Sequence, residues 1–430
     1  MPLYYLMARV AAMALRAHRD FGVGFLVLVL SCLVVGQAEG QRDERLWKEA
    51  QRLHQEAIVV DARVNVLSHI VDEGIDLGER VSGGQVDIPR MKEGGVDAQF
   101  FAIGFPSRVA DHGDVMRRAL EMVDALYQQI ERHPESLELA TSAADIRRVA
   151  RQDKIAVLLG LEDGKVIQGS LGVLRTFYRL GIRYMALPLR GDAALSDDGP
   201  VDDGEGLSEF ERQVVLEMNR LGMLVDVSEL PDKVFFEVLA TTKAPVVASH
   251  TAARALTHIP QNLSDDMLRA IASNGGIVMV NFDASYIDQN RVDAIRMRDR
   301  IFQPALAELR TRYAGDPEGF ERAREILFAA FELPKTPLAK LIDHIDHMVK
   351  VAGIDHVGLA SGFDGREALP EGLKDCSDLP RITYELLRRG YRDADVKKIL
   401  GENFLRVMTR VEDVAREMRR SELARRGGTL

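Results

Sequence analysis

IAVLLGLE (155–162) is seven apolar residues in a row, one of them glycine, closed by a carboxylate. A run without polar alternation suits a strand covered on both faces, as in a parallel sheet between other layers. Runs of the same kind lie on either side of it. We read strands at 57–64, 98–105, 155–162, 184–189, 223–228, 244–250, 276–282 and 356–363. Amphipathic segments such as 171–180 and 210–221 separate them and predict helices. Eight strand–helix units over some 300 residues predict one closed (β/α)8 barrel of the TIM type. A doubly wound open sheet is the competing fold, but no Gly-rich dinucleotide or phosphate loop follows any of the strands.

Two segments fall outside the units. Residues 284–340 are charged and helix-prone and predict a helical insertion after the seventh strand. Residues 378–425 predict a C-terminal helical extension whose Arg/Glu-rich end is a solvated surface helix. We therefore expect a leader at 1–38, a barrel domain at 39–410 and a polar helical tail at 411–430.

The leader sets the expected compartment. Arg9, Arg16 and Arg19 precede an apolar run at 22–36, and Gly36-Gln37-Ala38 places small residues at −3 and −1 of a cleavage site. The run is short for a membrane span, which needs about 20 apolar residues. We expect a cleaved signal and an exported protein, periplasmic or secreted, with an uncleaved membrane anchor as the alternative. A lipoprotein site at Cys32 is weaker, because Leu33, Val34 and Val35 continue the apolar run past it. Cleavage would leave Cys376 as the single cysteine, so no internal disulfide would brace the exported chain.

The whole chain has 430 residues, 46% apolar and 28% charged, with a net charge of −10. The apolar fraction excludes disordered and fibrous classes. The acidic balance argues against nucleic acid as a partner, since a phosphate binder needs a basic face.

In a (β/α)8 barrel the chemistry sits at the C-terminal strand ends. Those positions hold Arg63 and Asn65, Glu162, Leu189, Glu229, His250 with Gln261 beyond it, and Asp364. Lys165 lies three residues past Glu162 and could reach an anionic ligand. Polar and charged groups thus converge on one mouth, which barrel closure does not itself require.

Long stretches then acquire a family likeness: QVDIPRMKEGGVDAQFFAIGFP (85–106), LGVLRTFYRLGIRYMAL (171–187), EMNRLGMLVDVS (217–228), APVVASHTAARAL (244–256) and HIDHMVKVAGIDHVGLASGFDG (344–365). Over about residues 50–410 the chain resembles the membrane (renal-type) dipeptidases, two-zinc hydrolases of the amidohydrolase-like barrels. The resemblance implies metal-dependent dipeptide hydrolysis, a dipeptide-like ligand and a homodimer.

The same likeness marks departures at the implied ligand positions. The family's His-x-Asp pair after the first strand, which holds one zinc, reads Arg63 and Asn65 in DARVN. Arginine has no lone pair to give and stays protonated, so it cannot ligate a cation. The bridging carboxylate is kept as Glu162 and one second-site histidine as His250. The other second-site histidine is Glu229, in VDVSEL where the family reads VDLSH. The histidine implied after the fourth strand is Leu189, and the arginine implied to grip the substrate carboxylate is Gln261. The family's GSDFDG reads ASGFDG, so Gly362 replaces the aspartate implied as the proton-transfer residue and Asp364 remains as the catalytic candidate.

Three readings stay open at this point. The first is a barrel that has lost its catalysis and serves as a binding protein, its cofactor none and Arg63 standing in for the first metal beside Glu162 and Glu229. The second is a mononuclear hydrolase with one zinc or manganese on Glu162, Glu229 and His250. The third is an ordinary dipeptidase. His344 and His347, on the segment before the last strand, have ligand-like spacing but read as structural. The acidic loop 197–206 lacks the ligand spacing of a calcium loop and reads as a charged loop over the mouth.

Overall fold

A computed structural model describes residues 43–105, 112–187, 206–365 and 368–427. The chain divides into two units, Met1–Lys48 and Glu49–Leu430. Of the first, the described residues 43–48 only open the helix Glu44–Glu56. The expected leader lies outside the described residues. Among those described, no helix is long and apolar enough to cross a membrane.

The second unit is built on parallel strands β1 (Val60–Val64), β2 (Ala98–Ile103), β3 (Leu137–Leu139), β4 (Ile155–Leu161), β5 (Ile182–Ala186), β6 (Leu224–Asp226), β7 (Val247–Thr251), β8 (Ile277–Asn281) and β9 (Val357–Ala360). Pairing runs β2–β1–β9–β8–β7–β6–β5–β4, and a β2–β4 pairing closes the ring. The result is the expected (β/α)8 barrel. β3 stands outside the ring: it pairs with Ile155–Val157 at the start of β4, while β5 pairs with Leu159–Leu161 at its end. This short strand was not anticipated, because three residues of LEL carry no apolar run.

Closure creates two cores. Val60, Phe100, Leu158, Tyr184, Ile277 and Met279 belong to the inner one, which Phe404 of the helix Asn403–Gly427 joins. Phe100 meets both Tyr184 and Phe404 at ring-centroid distances of 5.2 Å. A Cβ at Gly160 would fall 1.9 Å from the Tyr184 ring, so β4 needs glycine there for the tyrosine to lie across it. The alternate residues Phe101, Leu159, Val225, Val278 and Val280 face outward into the core shared with the helices. Burial of each large side chain contributes about 1.5–3 kcal/mol, so both faces of every strand work toward stability.

Helix starts follow local chemistry. Ser170 caps Leu171–Arg179, and Ser208 with Glu211 forms a capping box on Glu209–Leu221. The insertion after β8 is helical as expected, with Ala284–Ile287, Gln289–Arg312 and Pro317–Phe328 ahead of the barrel helix Leu338–Ala352. At the C-terminus the expected boundary at 410/411 falls inside one unbroken helix, Asn403–Gly427. Val411, Val414 and Ala415 are buried, so the packed domain continues past 410. Val411 and Val414 keep the apolar side of the helix turned to the inner core.

One partly buried carboxylate at the far end of the barrel yields a prediction. Asp97 accepts from the Val59 amide at 2.8 Å, and burial, with the Asp153 carboxylate adding to it, pushes its pKa up to about 6. The folded state therefore prefers the protonated form. The associated stability is full below about pH 4 and is lost as pH rises through 6. A rise from the ordinary 3.8 to about 6 is worth at most about 3 kcal/mol, and residual exposure reduces that to about 1–2. Asp97→Asn should add that amount at pH 7 in urea unfolding and flatten the profile between pH 4 and 6; an unchanged slope would refute the assignment.

Candidate functional site

The mouth lies where the strand parity turns side chains inward at the C-terminal ends. A register shift in β1 between Asp61 and Val64 brings Arg63 into play. The Arg63 Nε donates to Glu162 Oε1 at 2.6 Å and Nη2 to Oε2 at 3.4 Å. The two side chains are only 14% and 13% exposed, so the pair is shielded from screening. Burial alone would raise the Glu162 pKa; the charges of Arg63 and His250 outweigh it and hold the carboxyl below its usual range. Gly104 makes room for this carboxylate, since a Cβ there would stand 3.0 Å from Oε2.

His250 is held from below by a buried chain of oxygens. Asp226 at the end of β6 is fully buried and accepts from the Ser228 amide (3.0 Å), Ser228 Oγ (2.8 Å), the Ser249 amide (3.0 Å) and Ser249 Oγ (2.5 Å). Ser249 Oγ also lies 2.7 Å from His250 Nδ1. The serine's single proton goes to the carboxylate, which can only accept, so Nδ1 must be the donor to Ser249. That puts a proton on Nδ1 and turns Nε2 toward the mouth. Nε2 faces Glu229 Oε1 at 3.9 Å, while Nδ1 lies 4.0 Å from Glu162 Oε1.

Glu229 sits at φ 59°, a left-handed conformation that side chains seldom adopt. Its Oε1 accepts from Tyr286 Oη at 2.5 Å. Burial and the Glu229 charge push the Tyr286 pKa well above its ordinary value, so the phenol stays a donor. Asp283, after β8, accepts twice from Ser285 and is pushed up by burial. Asn281 ends β8 fully buried, with its Oδ1 accepting from the Asp283 amide at 3.1 Å. Its Nδ2 has no partner among the described residues, a state that costs about 1–3 kcal/mol unless an acceptor arrives.

Of the residues expected at the mouth, Arg63, Glu162, His250 and Glu229 therefore come together. Arg63 takes Glu162; Glu229 is taken by Tyr286. Asn65 follows β1, its amide donating to Phe363 O at 2.8 Å. Lys165 lies in the turn Gly164–Ile167, whose start Asp163 caps. Gln261 lies past β7, its carbonyl accepting from Thr251 Oγ1 at 2.9 Å. Leu189 and residues 197–205 of the acidic loop lie outside the described residues.

Asp364, expected as the catalytic residue, accepts through Oδ1 from the Gln85 amide at 2.7 Å and through Oδ2 from the Val86 amide at 3.0 Å. Gln85 Oε1 in turn accepts from the Asp364 amide at 2.7 Å. At φ 61° the backbone turns this carboxylate onto the 85–86 loop, where it fastens that loop to the end of β9. His344 is structural as expected: it accepts from the Ala253 amide at 3.0 Å, and burial lowers its pKa to about 4. The sequence reading missed Tyr286, Asp226, Ser249 and Asn281. A charged or amide residue inside an otherwise apolar strand was the available signal for Asp226 and Asn281.

The donors themselves decide whether a metal fits. Among the described residues no group of three or more His, Cys, Asp and Glu side chains is arranged to hold an ion. Glu162 and Glu229 address opposite nitrogens of His250, and Ser249 occupies Nδ1. An ion on Nε2 beside Glu229 would need Glu162 to leave the guanidinium and cross the ring. The expected mononuclear set of Glu162, Glu229 and His250 does not fit one metal in this arrangement.

Residues 47–422 match the family described as membrane dipeptidase (peptidase family M19). The fold is similar to that of the probable dipeptidase PvdM from Pseudomonas aeruginosa, at 29% identity and a TM-score of 0.75, covering 86% of this chain and 100% of that one. The dipeptidase AC, a metallo peptidase of family M19, is 26% identical with a TM-score of 0.68, over 83% of this chain and 98% of its own. A metallo peptidase from Rhodobacter sphaeroides, liganded with a phosphinate mimic of the dipeptide L-Ala-D-Ala, is 25% identical with a TM-score of 0.68, over 83% and 99%.

Proposed function

The chain belongs to the membrane dipeptidase family, peptidase family M19, and from that premise we propose that it keeps the family's small-molecule mouth as a binding site while lacking two-metal dipeptide hydrolysis. One observation carries the reading: the Arg63 guanidinium donates to Glu162 Oε1 at 2.6 Å, on ground where the family resemblance implies a metal. Bimetallic hydrolysis uses both cations, to polarise the carbonyl and to generate hydroxide. A guanidinium can neutralise Glu162 but can neither accept a ligand's lone pair into an open coordination site nor acidify water as a metal does.

The remaining groups suit recognition. Asp226 and Ser249 hold His250 through Nδ1, and the partly exposed Glu229 carboxylate lies beside Nε2. The dipeptide mimic bound by the Rhodobacter sphaeroides relative supports a ligand of dipeptide size. The acidic chain is matched to small molecules and not to nucleic acid. We place the protein outside the cytoplasm through the leader at 1–38, with a membrane tether if that leader is retained and a homodimer as its assembly; N-terminal sequencing and sedimentation check these.

The deciding experiment measures zinc and manganese per purified chain together with turnover of L-Ala-L-Ala and L-Ala-D-Ala. Substoichiometric metal and no turnover are expected. One metal per chain that disappears in Glu229→Ala would instead support the mononuclear hydrolase. Two metals per chain, or brisk turnover, would make it an ordinary dipeptidase and end the proposal.

A further inference from the structure

β1 and β9 lie side by side, and a bridge between Val64 and Phe363 extends their pairing. His69, on the helix Leu67–Glu73 that follows β1, reaches across to the turn that follows β9. Its Nδ1 faces Glu73 Oε1 at 2.7 Å, and its Nε2 faces the carbonyl oxygen of Asp364 at 3.3 Å. A carboxylate and a carbonyl only accept. The imidazolium has an N–H for each of them, whereas the neutral ring has one N–H for the two. The shorter bond, to the carboxylate, then keeps it, and the tie to Asp364 is lost.

That tie matters because Asp364 is the hub of this rim. Its carboxylate accepts from the Gln85 and Val86 amides, and its own amide donates to Gln85 Oε1. A non-glycine at φ 61° is strained and keeps its conformation only because the bonds around it over-determine it. Releasing the carbonyl removes one of those restraints. The loop held by the turn also has room to move. A cavity of about 280 Å³ lies among His69, Glu73, Ser82, Gly84, Gln85 and Asp364. Gly83, at φ 77°, has open space where a Cβ would stand, so nothing packs against the loop tip there.

We propose that His69 is a pH-dependent latch: as the imidazolium it ties the helix Leu67–Glu73 to the Asp364 turn and keeps the 81–86 loop closed over the cavity, and on losing its proton it releases the loop. The Glu73 contact, helped by the Asp364 carbonyl, raises the His69 pKa above its ordinary 6.5 against the effect of burial. The closed state is therefore fully supported below about pH 6.5 and loses that support as pH rises through the folded value. The loop itself, VSGGQV (81–86), carries no titratable group. Asp72 pairs with Arg118 at 2.6 Å, and Arg90 pairs with Asp87 and Asp375. Among the described residues, the acids that act on the ring are thus Glu73 and Asp364.

Hydrogen exchange of the purified chain between about pH 6 and pH 8.5, corrected for the intrinsic rate, tests the latch. Protection of the 81–86 amides should fall at least about threefold across that range, while β8 stays unchanged, as for a local opening. His69→Gln keeps an N–H donor but cannot titrate, so its loop protection should not vary with pH. Glu73→Gln removes the main cause of the raised pKa and should move the fall to lower pH. Constant protection in the unmodified chain, an equal fall in β8, or a fall that survives His69→Gln overturns the inference. Should His69→Gln fail to fold, Glu73→Gln decides, and an unmoved midpoint overturns it too.

Discussion

Arg63→Met should destabilise the protein by about 3–5 kcal/mol, the usual cost of leaving one member of a buried ion pair uncompensated. Glu162 is the reason. Its side chain is 13% exposed, burial pushes its pKa up, and Arg63 is the foremost of the charges that bring it down. Removing the guanidinium leaves that push dominant, opposed in part by His250, whose Nδ1 lies 4.0 Å away. The double variant Arg63→Met with Glu162→Leu should recover most of the loss, because an apolar replacement for a whole buried pair is often neutral or stabilising by about 1–4 kcal/mol. Urea unfolding of the two singles and the double closes the cycle. A single-variant cost within about 0.5 kcal/mol, as for an ordinary surface position, would mean the pair is not buried in solution.

The pH dependence supplies a second readout with a definite sign. In the native pair the Glu162 pKa is depressed, so its contribution is present above the unfolded value near 4.5 and is lost as pH falls through the lower folded value. In Arg63→Met the burial effect raises the pKa instead. Stability should then be greatest in acid and should fall as pH rises past 4.5, reversing the slope over that window.

The mouth explains why some of this was legible and some was not. Glu162 continues the inward parity of Ala156 and Leu158, so its place at the mouth follows from the strand pattern, whereas Arg63 reaches it through the register shift between Asp61 and Val64. Asp364 stands at a comparable place after β9, yet a single left-handed residue turns its carboxylate away onto the 85–86 amides. No strand pattern reports a positive φ at a non-glycine. Tyr286 escaped because the four-residue turn Ala284–Ile287 reads as the start of the helical insertion and not as part of the mouth. The short β3 escaped because its neighbour β4 divides its edge between two partners, a feature of closure that local sequence does not carry.

The triple variant Arg63→His, Asn65→Asp, Glu229→His should convert the mouth into a zinc site without restoring peptide hydrolysis. Each change supplies a donor type that binds zinc where a non-ligand or mismatched group now stands. The backbone already suits the third change, since histidine is among the few residues that tolerate the φ of 59° found at position 229. Freed of the guanidinium, Glu162 regains both carboxylate oxygens for metal, and Ser249 already fixes His250 with Nε2 free. Outer partners of that kind orient a ligating imidazole. Structural zinc sites reach apparent binding energies of about 10–16 kcal/mol. Even about 4 kcal/mol gained here is roughly a thousandfold in affinity, readable by chelator competition. Turnover of L-Ala-L-Ala should stay at background, because Gly362 offers no proton-transfer group and Asp364 remains bound to the 85–86 loop. Unchanged zinc affinity would show that Arg63 does not hold the metal's ground. Metal together with rapid hydrolysis would show that the three substitutions alone had silenced an otherwise complete dipeptidase, and that the altered positions around Gln261 and Gly362 matter little.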